Sequence, residues 1–432
     1  MKRMIRVDLR RLAPRHPVTA LAAIAAASML AACSSILGLT NPSTDDNVVA
    51  DGGTTGDGAT TGDGSGGDGS TGDDGSTPGD GSGGDASCAP GADFTADKAN
   101  CGRCGHSCLG GDCTGGVCQP VTIAVAQSNP FGVAVQGSRV YWTNNGNDTV
   151  MMADKADGKN VGPVAASGIS SPWGILTDNT SVYWANHDFK PNGTIAKCPL
   201  AGCTANGSLS APATLAVADE PLGLAIAGNR LFFTEDNGGG VWSIDTSDGG
   251  TPLNLAPGGI NHPFKIVTDG TYVYFTSNET ALHSVSVKGG PIFNLVNAPD
   301  QSGLAIDQGT LFFTNYPFSS NSGSIASVSK DGGTATGFAG SQVNPLNVVV
   351  DANYVYWTNN GTFHEPAQAD DGKDGSVVAC ARPGPCTKPI VLADKQHIAS
   401  GITIDDEAVY WTNAGVGGVG NNDGAVMKIA KP

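Results

Sequence analysis

The sequence predicts an all-β fold, a single β-propeller of about seven four-stranded blades, on three observations. Glycine accounts for 62 of 432 residues while only 15% are charged, which suits many short strands joined by tight turns and not a helical enzyme. An aromatic pair behind an aliphatic residue recurs seven times at steps of 38 to 54 residues, the period of one four-stranded blade. The ends of this region complement each other: the last copy stops after a third strand, and an orphan strand precedes the first copy.

The aromatic copies are Val140-Tyr141-Trp142-Thr143, Val182-Tyr183-Trp184-Ala185, Leu231-Phe232-Phe233-Thr234, Val273-Tyr274-Phe275-Thr276, Leu311-Phe312-Phe313-Thr314, Val355-Tyr356-Trp357-Thr358 and Val409-Tyr410-Trp411-Thr412. An inner strand precedes each copy, often at a Pro-x-Gly such as Pro130-Phe131-Gly132 or Pro221-Leu222-Gly223. Alternation of branched and aromatic residues supports strand throughout, and the rings are expected to fill the space between adjacent blades. Residues 120–126 are expected to pair with residues 425–430, closing the ring and leaving no exposed sheet edge.

Over residues 120–432 the repeats resemble the YWTD and NHL propeller families. The fourth position departs from the YWTD pattern, with Asn144, Asn186, Glu235, Ser277, Asn315, Asn359 and Asn413 where that family has Asp. The YWTD family is also six-bladed, whereas seven copies stand here. The resemblance implies the fold and leaves the function open, because propellers host unrelated activities.

Residues 1–32 read as a secretory signal: a basic start, then an apolar run too short to remain as a membrane span. Leu30-Ala31-Ala32-Cys33 resembles the bacterial lipobox, which implies cleavage before Cys33 and lipidation of that residue. In that family a retention Asp follows the Cys; Ser34 at that place implies an outer-membrane destination. Residues 33–87 form the lipidated Cys and a linker, in which residues 41–87 hold ten Asp and no Lys, Arg or Glu. Such a segment cannot bury a core and is expected to be disordered, flexible and extended. The whole chain carries a formal charge of −17, so phosphate backbones repel it and nucleic acid is not an expected partner.

Residues 88–119 form a small cysteine-rich module holding Cys88, Cys101, Cys104, Cys108, Cys113 and Cys118. A segment this small lacks a sufficient core and needs staples, so an exported chain predicts three disulfides among 15 possible pairings. The Cys-x-x-Cys spacing leaves zinc as an alternative. The module resembles small NCGxCGxxC modules of other exported bacterial proteins, a resemblance that implies no chemistry. Inside the propeller, Cys198 with Cys203 and Cys380 with Cys386 flank the turn between third and fourth strands, where other copies have Gly pairs. The ends of so short a hairpin come within disulfide range, so two local staples are expected.

The loop after each aromatic strand varies in length and shares a face with the start of the inner strand. Variation on one face is where repeat folds place binding. Candidate ligand-binding residues there are Trp173, His187, Glu235, Lys265, Tyr316, Asn347 and His364. No nucleophile elbow, phosphate loop or zinc helix motif occurs. A lyase-like propeller needs a positioned general base, for which His262 and His397 are the candidates. The reading is therefore a monomeric, envelope-anchored module that binds a protein, peptide or glycan, with no cofactor or metal expected. The alternatives are a lactonase-like hydrolase or a lyase, or a spacer of the envelope.

Overall fold

The computed structural model describes Cys88 and residues 91–432 except 248, 258, 278–280, 299, 318–319, 365–367, 369 and 417–420. The signal segment, Cys33 and the linker lie outside the described residues. Seven four-stranded antiparallel sheets form the ring. Their inner strands are Pro130–Gln136, Pro172–Thr177, Pro221–Ala227, Ile266–Thr268, Gln301–Asp307, Pro345–Val350 and Ala399–Ile404, taken below as blades 1 to 7. Among the described residues no helix is formed.

The ring closes as the end pattern demands. Blade 7 takes its outer strand, Val121–Gln127, from the N-terminal side, paired antiparallel with Gly424–Ala430 through Val121↔Lys428 and Gln127↔Gly424. The closing strand gives blade 7 its fourth strand, so every blade of the ring is complete and only the short outer edges remain.

Successive side chains of a strand point to opposite faces, so the two rings of each aromatic pair enter two different seams. Tyr141 of blade 1 packs with Val182 and Trp184 of blade 2, and Tyr183 packs with Leu231 and Phe233 of blade 3. The series continues to Tyr410 of blade 7, which joins Trp142 of blade 1. Trp142, Trp184, Trp357 and Trp411 are wholly buried.

The residue that follows each aromatic copy is buried in six of the seven blades. The Trp142 indole N–H and the Asn144 amide both donate to Gln127 Oε1, at 2.8 and 3.0 Å. Trp357 and Asn359 share Gln342, and Trp411 and Asn413 share Gln396, in the same way. Each Gln ends the outer strand of the preceding blade, so this knot ties blade to blade. An amide can donate to the Gln oxygen and an ionised aspartate cannot, which is the physical reason for Asn at these three positions.

A second tie lies nearer the axis. Gly132 N–H donates to the Thr143 hydroxyl at 2.9 Å, and that hydroxyl donates to the Trp173 carbonyl of blade 2 at 2.9 Å. Thr234, Thr314, Thr358 and Thr412 repeat the relay into the next blade. Blade 2 has Ala185 here and forfeits it. The inner strands approach so closely that a Cβ on Gly132 would lie 2.5 Å from the Trp173 carbonyl oxygen, so the repeated Gly is a packing requirement.

All cysteines among the described residues are paired: Cys88–Cys104, Cys101–Cys113, Cys108–Cys118, Cys198–Cys203 and Cys380–Cys386. Sulfurs of Cys101, Cys108 and Cys118 lie near one another, but each is already in a disulfide. The cysteine module and the ring form one compact unit. His106 bridges the carbonyls of Cys101 and Lys431, and Arg103 donates to the Pro432 carbonyl at 3.2 Å. The module thus sits against the turns of blades 6 and 7, on the face opposite the variable loops.

Candidate functional site at the channel mouth and rim

In six blades the residue just before the inner strand is left-handed, and in blade 4 the equivalent residue is His262, four before Ile266: Asn129, Ser171, Glu220, His262, Asp300, Asn344 and Ile398 have φ between 42° and 59°. In a non-glycine residue this conformation costs free energy and persists only where its surroundings impose it. The following loop imposes it in six blades. The backbone N–H just after the signature donates to the left-handed residue's carbonyl, as from Asn145 to Asn129 and from Ala414 to Ile398 at 3.1 Å. Seven such corners define the rim of the channel.

Inside the rim the mouth is closed by apolar side chains. Phe131, Trp173, Leu222 and Leu346 hold the second position of their inner strands, Phe264 takes the equivalent place just ahead of the blade 4 strand, and these cluster with Tyr316, all at most 9% exposed. Blades 5 and 7 have Ser302 and Ser400 at that position, and Tyr316 of blade 5 joins the plug from its loop. Trp173 and Tyr316 are therefore parts of this plug and not solvent-facing contacts. Trp173 lies 4.5 Å from the Phe131 ring and 5.1 Å from His187, centroid to centroid.

Beneath the plug lies a cavity of about 160 Å³ with walls from all seven blades. Five of the third-position residues are glycine, and the exceptions are Lys265 and Asn347. Asn347 is buried, and its amide donates to the Ser400 carbonyl at 2.9 Å. Lys265 forms no ion pair among the described residues; its ammonium stands 5.8 Å from the Phe264 ring. Burial pushes Lys265 down to about 8.

The other candidates sit on the rim. His187 is pushed down to about 4 by burial, with Asp188 opposing, and so is neutral at neutral pH. Glu235 is buried, accepts the Asp219 N–H at 2.8 Å and pairs with Lys190 at 3.3 Å. His364 bonds Asp371 at 2.8 Å, and the same carboxylate accepts the backbone N–H groups of His364 and Gln368. Asp370 lies within 4.8 Å of these groups, yet they are spent in capping their own loop. His397 is exposed.

The structure gathers one group that the sequence did not single out. Glu220 lies among Asp188, Asp219 and Asp236, carboxylates from blades 2 and 3. Burial first, and then repulsion from Asp236, Asp219 and Asp188, pushes Glu220 up to about 7. Its carboxylate accepts no hydrogen bond among the described residues. Burial also raises Asp236, which is 5% exposed, although His262 bonds it at 2.6 Å from Nδ1. The only sequence signal was an acid before Pro221 and a Glu-Asp pair after the aromatic strand. Their convergence depends on the ring.

No protein-family model matches the chain, and no curated protein matches it. Among solved structures it is similar to a streptogramin B lyase, at 14% identity and a TM-score of 0.55, covering 72% of this chain and 97% of that one. It is similar also to virginiamycin B lyase from Staphylococcus aureus, at 14% identity and a TM-score of 0.54, covering 73% of this chain and 99% of that one. Likeness at this identity shows the propeller fold alone.

Proposed function

We propose that the chain is an exported, lipid-anchored binding module whose ligand is a cationic peptide or protein segment docking on the rim over blades 2 to 4. One observation carries this reading: Glu220 is held against three carboxylates and pushed up to about 7, with no hydrogen bond to its carboxylate among the described residues to offset it. A lysine or arginine placed there relieves the repulsion and gains a charge-assisted pair. Titration calorimetry with a short lysine- and arginine-rich peptide tests the site. Binding is expected to weaken with salt and to fall at least tenfold in Glu220→Gln. Binding indifferent to both would overturn the reading. Anchoring is tested by mass spectrometry of the mature N-terminus, where a lipidated Cys33 is expected and an unmodified one would refute it.

A second reading is a lyase- or lactonase-like activity with His262 as general base. The favouring observation is its hydrogen bond to the buried Asp236, which orients the ring while half the side chain stays exposed. A base held by a buried carboxylate is the arrangement that proton abstraction requires. Incubation with a cyclic ester, read by mass spectrometry, is expected to show ring opening that His262→Asn abolishes. No ring opening would leave the binding reading alone.

A further inference from the structure

The channel interior holds a different chemistry from the rim. Its third-position ring is glycine wherever the next blade presents a bulky second residue: Gly132 faces Trp173, Gly174 faces Leu222, and Gly223 faces Phe264. The two side chains that break the glycine pattern are Lys265 and Asn347. Each is followed in the next blade by a serine at the second position, Ser302 and Ser400. Space withdrawn from the plug at these seams is thus given to a polar side chain on the channel wall.

The two polar residues are not equivalent. Asn347 spends its amide on the Ser400 carbonyl. Lys265 is half-buried, has no carboxylate partner among the described residues, and its ammonium stands 5.8 Å from the Phe264 ring centroid. The remaining wall is backbone and aliphatic side chains, including Val133, Ile175, Leu224 and Ile402. Trp173, whose indole N–H is unpartnered among the described residues, lines the same cavity. An ammonium in such a place carries a desolvation cost that a bound anion would offset.

We infer that the channel is a site for a short aliphatic monocarboxylate, its carboxylate on the Lys265 ammonium and its alkyl body against the aliphatic wall. One lone cation matches one negative charge, and a phosphate dianion would remain uncompensated. A cavity of about 160 Å³ is similar to cavities of about 150 Å³ that hold a benzene ring, so a ligand near six heavy atoms fits. Butyrate has that size. The wall favours it over chloride, which would leave the apolar surface uncovered.

Titration calorimetry of the mature full chain with butyrate at pH 7 tests the inference. Saturable binding is expected, at least tenfold tighter than for the uncharged butyramide, phosphate or chloride. Lys265→Met is expected to lose it at least tenfold, as is Lys265→Gly, which installs the residue of five other blades. In the wild type, affinity is expected to fall as pH rises above about 8, where the ammonium loses its proton; this readout needs no variant to fold. Absence of saturable butyrate binding, equal binding by a folded Lys265 variant, or pH-independent affinity from 7 to 10 would overturn the inference. So would chloride or phosphate binding as tightly as butyrate.

Discussion

On the face carrying the short turns between first and second strands, Asp178, Asp269, Asp351 and Asp405 each cap their turn and accept a tyrosine hydroxyl from the aromatic strand. Lys330, Lys431 and Lys155 reach Asp269, Asp351 and Asp405 as well. Burial alone would raise these carboxyls, but the bonds from lysine, backbone N–H and tyrosine outweigh it and hold Asp269 at about 2. On the variable-loop face the same kind of group behaves in the opposite sense: Glu220 and Asp236 are raised by burial, and Glu220 faces like charge. The difference separates satisfied carboxylates, which hold the fold, from frustrated ones, which mark a place prepared for something else.

The largest expected effect lies on the turn face. Asp405→Ala removes the acceptor of Lys155, of the Tyr410 hydroxyl and of two backbone N–H groups. It is expected to destabilise the protein by about 3 kcal/mol in denaturant unfolding, because buried donors lose a charged partner. The stability from Asp269 is present above about pH 4 and is lost as pH falls toward about 2, and the depressed folded values of Asp178, Asp351 and Asp405 act in the same direction. A loss below about 1 kcal/mol would break the contrast.

The disulfides Cys198–Cys203 and Cys380–Cys386 close hairpins on that same face. Their sequence separations of 5 and 6 remove little unfolded-chain entropy, so replacing either pair by serines is expected to cost about 2 kcal/mol at most. Non-reducing peptide mapping checks the pairing, and thermal unfolding checks the cost.

The smallest effect has the opposite sign and sharpens the comparison most. Glu220 has a raised folded value, so its contribution is full below about 4.5 and is lost as pH rises through about 7. Glu220→Gln is therefore expected to stabilise the protein by about 1 kcal/mol at pH 8, with solvent screening, and to be neutral at pH 4. Destabilisation at pH 8 would show that the charged group is satisfied after all. His187, depressed to about 4, acts at the acid end: stability is expected to fall as pH drops from 6.5 through 4, and the drop is expected to vanish in His187→Gln.

The ring itself was legible because its determinants are periodic. The aromatic pairs, the Pro-x-Gly starts, the glycine turns and the closing strand each repeat or complement along the chain. The knot of Trp142, Asn144 and Gln127 was legible in principle, since each Gln stands 15 residues before its Trp. Comparison with a family's Asp does not reveal it, because the partner of each Asn lies on the preceding blade. The rim was less legible. Glu220, Asp236 and His262 meet because neighbouring blades bring their corners together, and loop lengths alone do not reveal which corners touch. Trp173 and Tyr316 lie buried in the plug, and that burial depends on side chains contributed by five other blades.

The closing strand sets an order in time. Val121–Gln127 is among the first strands of the ring to be made, and its only sheet partner, Gly424–Ala430, is separated from it by about 300 residues. Until that partner exists the strand has nothing to pair with, while six of the seven blades can assemble from local hairpins. The final bond of the ring is therefore the most non-local one, and its loop-closure entropy is met only at the end. Pairing of Val121–Gln127 with Gly424–Ala430 is therefore expected to form late in folding, which pulsed hydrogen exchange checks.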